Sequence, residues 1–350
     1  MNERNVTLKN SEKIALIGSL ATMLSAGIPI LDVVNSLMED SKGGQRKIFE
    51  TLREDLMQGK HVYISFSKFP RVFDKVTVSV IKASEEAGTL DITLRDLRLT
   101  VQKEIEFSDK VRSAMVYPLF VVLIFLGVLF MILVVVVPKI SQVFLRLRVD
   151  LPLPTQILIF FSDLLVKKTV FFLGGTAIAI GGAVFLYQQK RAFLLNIVYS
   201  LPIVSTLIQE IDITRFTRSL HLLLSSGLPI TEALSLTSDV VIKKKTANII
   251  RMSRDMVLAG KKLSEGFRAS KGYIPSLMIK LMEAGEKTGT LDKSMQDISE
   301  YYDYAVTNTL KIITALLEPI LLVAVGIVVG GMMLAIIAPV YSLIGQVGQH

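Results

Sequence analysis

Residues 83–91 read ASEEAGTLD, and residues 284–292 read AGEKTGTLD. The two stretches lie 201 positions apart, and outward from them the register holds. Gly59-Lys60 matches Gly260-Lys261 and Phe66 matches Phe267 at the same offset. Further along, Lys110 matches Lys311, Pro118 matches Pro319 and Pro138 matches Pro339. Upstream, SLATMLSAGIPI at 19–30 matches SLHLLLSSGLPI at 219–230 with an offset of 200. Agreement of Gly, Pro and acidic positions in one register over so long a stretch is the mark of a duplication. Residues 11–138 and 211–339 are two copies of one unit.

Inside a unit the pattern is helical. Leu20, Leu24, Leu31, Val34 and Leu37-Met38 recur at three to four residues, the spacing of one helix face. Gly27 suits the end of one helix and Pro29 the first turn of the next. Further helices are expected over about residues 45–58, ending at Gly59, and 75–87, ending at Gly88. Thr89-Leu90-Asp91 opens a long helix with Leu94, Leu97, Val101 and Ile105 on one face. It runs toward an apolar stretch, with a kink expected at Pro118. The second copy repeats the stops at Gly227, Gly260 and Gly289. Few stretches alternate with strand period. The expected fold class is all-α, each copy holding an antiparallel bundle of about six helices.

Three uncharged 19-residue stretches are long enough to span a bilayer: Leu119–Val137, Thr169–Tyr187 and Ile320–Ala338. Leu153–Val166 is shorter and carries Asp163, so it reads as an interfacial or extramembrane helix. The composition agrees: 51% of the 350 residues are hydrophobic, 20% are charged, and the mean hydropathy is +0.52. The opening MNERNVTLKNSEK is polar and shows no signal-peptide or lipidation pattern. Lys and Arg number 17 in residues 1–117 and 17 in 188–318, while the tail from Val340 has none. Positive charge collects on the cytoplasmic side, which orients the chain. The expected order is a cytoplasmic bundle (1–117), a membrane helix (118–138) and an extracytoplasmic loop (139–168). A second membrane helix (169–187), a second cytoplasmic bundle (188–318), a third membrane helix (319–339) and an extracytoplasmic tail (340–350) follow.

The residues offer little for bond chemistry. The chain has no Cys, which excludes disulfides, thiolate metal sites and Cys nucleophiles. Its three His residues are far apart, and neither Gly-Lys step carries the Gly five residues earlier that a phosphate loop needs. No cofactor or resident metal is expected, and the scattered basic residues do not form a nucleic-acid surface. The spans hold no ionisable side chain in their interiors, which disfavours a transporter or channel subunit, the alternative from another functional class. Gly326/Gly330 and Gly175/Ala179 are small-x-x-x-small pairs that let membrane helices pack closely, within the chain or between copies. Lys243-Lys244-Lys245 and Lys190-Arg191 suit an anionic lipid or an acidic partner.

The repeated acidic turn is the candidate interaction site. Glu85 and Glu286 each lie in the last turn of a helix, where a carboxylate opposes the helix dipole at a cost of about 0.3–1 kcal/mol. Both copies keep it, so something offsets the cost. The candidates are an intradomain Lys or Arg, a basic residue of a partner, or a shared cation. Asp91 and Asp292 sit in a first helical turn, where negative charge is favoured. Glu85, Asp91, Glu286 and Asp292 are the candidate partner-binding residues.

Three motifs, in order, resemble one family. They are the S-x-G-[IL]-P-I step (Ser25–Ile30 and Ser225–Ile230), the E-x-x-G-T-L-D turn (Glu85–Asp91 and Glu286–Asp292), and Lys110–Pro118 leading into an apolar helix. This chain is similar to the inner-membrane platform proteins of type II secretion systems and type IV pili. Its early start resembles the shorter platforms of bundle-forming and toxin-coregulated pili. The second copy departs from the pattern in having Glu318 where the first has Tyr117. The resemblance implies a non-enzymatic, homo-oligomeric platform: a multi-pass inner-membrane protein that couples a separate cytoplasmic hexameric ATPase to pilin or pseudopilin polymerisation. Its implied partners are that ATPase, the pilin subunits, other inner-membrane assembly proteins, the lipid bilayer and further copies of itself.

Overall fold

The computed structural model describes residues 3–139, 141–142, 153–166, 202–270 and 272–347. After a short turn at Glu3–Asn5, the first repeat forms α1 (Asn10–Ser25), α2 (Ile30–Asp40), α3 (Gly43–Met57), α4 (Val62–Ser67), α5 (Lys75–Ala87) and α6 (Leu90–Met131). Next comes α7 (Leu153–Val166). The second repeat forms α8 (Pro202–Ser225), α9 (Ile230–Thr237), α10 (Lys244–Leu258), α11 (Leu263–Arg268), α12 (Ser276–Thr288) and α13 (Leu291–Val347). The described residues contain no strand.

The chain divides into two compact units. One combines residues up to Lys110 with Thr206–Asn308, and so contains both bundles. Its core follows the apolar periodicity: Leu20 on α1, Val34 on α2, Leu52 on α3, and Leu94 and Leu97 on α6 are all at most 1% exposed. The second repeat buries Leu220, Leu234, Met295 and Ile298 in the corresponding places, and Ile250 where the first repeat buries Phe49. At about 25 cal/mol per Å² of apolar surface, each such side chain contributes roughly 1.5–3 kcal/mol.

The turns behave alike in both copies. Gly88 and Gly289 take φ of 70° and 71°, the left-handed conformation in which a side chain is strained. That bend lets the Thr89 and Thr290 amides donate back to the Ser84 and Gly285 carbonyls, each at 2.9 Å, closing α5 and α12. Pro29 and Pro229 occupy the position just before α2 and α9, one residue earlier than the first turn. There each lacks only a donor that no helical carbonyl would receive.

The other unit combines Val111–Ser205 with Thr309 onward. Among the described residues two helices are long and apolar enough to cross a membrane, Leu90–Lys139 and Leu291–Gly331. Their most apolar stretches are 6% and 0% buried. Leu119, Phe120, Leu322 and Ile327 are each more than 60% exposed, as lipid-facing side chains are. The expected middle span, Thr169–Tyr187, with Gly175 and Ala179, lies outside the described residues.

The helix α6 does not break at residue 118. In hydrocarbon every freed backbone group lacks water, so the helix keeps the bonds that one proline does not remove. A π turn follows at Ile132–Val136. There Ser162 of α7 donates to the Leu133 carbonyl at 2.7 Å.

Candidate functional site: capped short helices and the seam between repeats

The short helices α4 and α11 follow directly on His61 and Lys262, and neither side chain caps its helix. A helix start leaves backbone N–H groups without partners. Glu85, from the last turn of α5, supplies them: its carboxylate accepts from the Val62 amide at 2.8 Å and the Tyr63 amide at 3.2 Å. Glu286 on α12 does the same for Leu263 at 2.5 Å and Ser264 at 3.2 Å. The charge that opposes the dipole of its own helix thus meets the positive end of the preceding one. What offsets the cost is backbone, not a Lys or Arg; His61 Nδ1 lies 3.3 Å from Glu85 but is largely exposed. Asp91 and Asp292 stand half-buried in the first turns of α6 and α13, and the Asp292 carbonyl accepts from His221 Nδ1 at 2.9 Å.

Two further carboxylates belong to one repeat each. Asp55, 2% exposed, accepts from Lys68 at 2.6 Å, Lys60 at 3.0 Å and Ser65 at 2.9 Å. Burial pushes its carboxyl up, but the hydrogen bonds from Lys68, Lys60 and Ser65 together outweigh burial and hold it below the usual range. Asp212, fully buried on α8, accepts from the Lys243 amide and the Thr246 hydroxyl, both at 2.9 Å, and from the Ile242 amide. It pins the start of α10. Here burial prevails over those bonds and the Arg215 charge, and the carboxyl is pushed up.

The repeats meet along an ion-paired seam within their unit. At its centre Arg218 of α8 is 10% exposed and reaches Glu104 of α6 at 3.0 Å and Asp303 of α13 at 3.1 Å. Its guanidinium carbon lies 5.3 Å from the centre of the buried Phe107 ring. Arg215 approaches Glu104 at 3.5 Å. The rim is more exposed: Lys103 pairs with Glu300 at 3.2 Å, Lys110 with Asp303 at 3.2 Å, and Lys75 with Asp239 at 3.0 Å. The Lys75 hydrogen bond holds the Asp239 carboxyl below its ordinary value. A cavity of about 620 Å³ lies in the seam, lined by Lys103, Lys110, Arg218, His221, Glu300 and Asp303 among others. Rim pairs of this kind contribute about 0–1 kcal/mol each, whereas Arg218 is desolvated and holds two carboxylates from two helices.

The structure gathers the four sequence-predicted residues into two equivalent turns, one at each α5–α6 and α12–α13 junction. Gly326 and Gly330 face open space on α13, with no atom within 4 Å of where a Cβ would stand. Among the described residues no cluster of three or more His, Asp or Glu is placed to hold a metal ion. Arg218 is the residue that repeat reading passed over. It stands where the first copy has Gly18, and that mismatch was the available signal.

Comparison with known proteins matches the family model described as "Type II secretion system (T2SS), protein F" twice, over residues 16–138 and 216–339. The chain is 30% identical over 333 residues to the type IV pilus assembly protein PilC of Myxococcus xanthus, covering 93% of this chain and 79% of that one. It is 31% identical over 330 residues to PilC of Thermus thermophilus, covering 93% and 81%. Type II secretion system protein F of Aeromonas hydrophila is 27% identical over 338 residues, covering 95% and 86%.

Proposed function

For this chain, which belongs to the type II secretion system protein F family, we propose the role of a non-enzymatic inner-membrane platform in a pilus or secretion assembly machine. Both bundles lie in the cytoplasm. They receive conformational work from a separate hexameric ATPase, and the membrane helices guide pilin or pseudopilin subunits into a growing fibre. The observation that supports this reading is repeated in both copies. The helix that carries the last core positions of a bundle, Leu94 and Leu97 in α6 or Met295 and Ile298 in α13, continues unbroken into an apolar, exposed stretch. A helix kept whole by its backbone bonds transmits displacement along its axis better than a loop does. Partner contact is assigned to the acidic turns, Glu85 and Glu286 shaping them and Asp91 and Asp292 completing them. Gly326 and Gly330 offer a close-packing face to another helix.

Reporter fusions after residues 60, 150, 260 and 350 test the topology and should read inside, outside, inside, outside. An inside signal at 150 refutes the three-span arrangement. Purified protein should not turn over ATP yet should bind the ATPase. Turnover abolished by Lys261→Ala defeats the platform reading. Solute flux through liposomes containing this protein alone favours the transporter alternative.

A further inference from the structure

Lys243 stands just before α10 and Lys244-Lys245 open it, and neither the seam nor the acidic turns use them. Local stability does not explain them, because a cation at a helix start faces the positive end of the dipole. The two acids at this corner are already engaged. Buried Asp212 holds the Ile242 and Lys243 amides and the Thr246 hydroxyl, and Asp239 is held by Lys75 and Arg251. Lys244 and Lys245 are exposed and form no ion pair among the described residues.

The first repeat closes the same corner. Lys244 and Lys245 correspond to Gly43 and Gly44. There the N-terminal segment covers the helix start: a Cβ on Gly44 would stand 2.8 Å from the Thr7 carbonyl oxygen and 3.1 Å from the fully buried Val6. In the second repeat the corner is open. Lys245 Nζ lies 4.2 Å from the centre of the Tyr273 ring. Tyr273 is anchored in turn by the Thr246 hydroxyl at 3.1 Å and by Gln209, whose amide donates to the Tyr273 carbonyl. Ile242 beside them is 39% exposed. Cations, an aromatic ring and an exposed aliphatic side chain together fit a surface that is anionic outside and apolar within.

The connections between helices fix which end of the bundle this is. Glu286, in the last turn of α12, caps α11, and α10 ends just before α11. The end of α10 therefore lies beside the turn from which α13 starts. Its beginning lies at the opposite end, where α13 leaves this unit at Asn308. The 15 residues of α10 span about 22 Å, the length of α13 from Leu291 to about residue 306. The uncharged stretch Ile320–Ala338 opens about a dozen residues past Asn308, or about 18 Å of helix. A headgroup layer occupies about 5–8 Å of that, which brings the lysines within roughly one screening length, about 10 Å, of headgroup charge.

We propose that this corner of the second repeat, formed by Ile242, Lys244, Lys245 and Tyr273, docks on anionic lipid headgroups. The contact ties the start of α10 to the bilayer, while the covered corner of the first repeat makes no such contact. It rests on the platform reading only for the side of the membrane, which reporter fusions test and a nanodisc, open on both faces, does not.

The natural chain has no Cys, so one fluorophore can be placed by Asn248→Cys, exposed one turn along α10, or by Leu258→Cys at its far end as a control. Full-length protein is reconstituted in nanodiscs of phosphatidylcholine, with or without phosphatidylglycerol, each carrying a trace of lipid with a nitroxide quencher on its headgroup. Phosphatidylglycerol should increase quenching at position 248 and leave position 258 unchanged. Lys244→Gln with Lys245→Gln should lower the docked population about tenfold or more. Lys244→Arg with Lys245→Arg should preserve it, because attraction to a headgroup layer needs the charge and not the ammonium. Equal quenching at 248 in the two lipids overturns the proposal, and so does quenching in the Gln variant that matches the natural chain. Lipid-independent quenching combined with failed assembly of the Gln variant in cells also overturns it, and assigns the corner to an acidic protein partner.

Discussion

Replacing Glu286 by Gln changes one oxygen for an NH2 and removes one charge. The carboxylate accepts from two amides of α11, so the amide side chain can keep one bond while its NH2 faces the other N–H. Losing one charge-assisted bond costs about 1.5–3 kcal/mol. Losing the attraction to the start of α11 costs about 0.3–1 kcal/mol, and relief of the repulsion at the end of α12 returns a similar amount. The net expectation is a loss of about 1.5–3 kcal/mol, since the two dipole effects nearly cancel. Amide hydrogen exchange on the full chain reads it locally: protection of Leu263 and Ser264 should fall about ten- to hundredfold, at 1.4 kcal/mol per decade. Glu86→Gln is the control, because Glu86 is exposed and its Lys82 partner stands 4.0 Å away. It should change stability by no more than about 0.5 kcal/mol. If Glu286→Gln leaves exchange and melting unchanged while assembly fails, the cap reasoning is wrong and the carboxylate serves a partner instead.

Asp55→Asn should lower stability by about 1–3 kcal/mol at neutral pH, the scale for bonds to charged groups, as seen in denaturant unfolding. The native Asp55 carboxyl titrates below its unfolded value of about 3.9, so its contribution is complete above that pH and disappears as pH falls through the native value. The variant should therefore show a flatter acid limb below about pH 4. Arg218→Lys should not rescue Arg218→Met in thermal melts, because one ammonium cannot span Glu104 and Asp303 while lying over Phe107. Gly266→Ser, which copies Ser65 of the first repeat, should destabilise by about 1–3 kcal/mol, the usual cost of overpacking. Its Cβ would stand 2.7 Å from the Ser253 Cα and Cβ. A neutral result there would show that α10 and α11 can move apart.

The duplication, the helical class, the glycine stops and two of the exposed membrane-length helices were legible without coordinates. Each rests on local physics: a 3.6-residue period, a glycine at positive φ, a run of uncharged side chains. Lys75–Ala87 was bounded correctly for that reason. The partner of Glu85 and Glu286 was not legible, because a carboxylate 22 or 23 residues from a helix start shows no sequence sign of capping it. Nor was the seam. Two copies of one unit leave open which face of one meets which face of the other, and that choice depends on distances across the fold. Only the tertiary structure decided that Arg218 lies buried against Glu104 and Asp303 while its counterpart, Gly18, lines an open groove. Periodicity fixes what a residue does along its own helix, whereas the pairing of faces is set by side chains such as Arg218 and Glu104, 114 residues apart, that meet only once both bundles have formed.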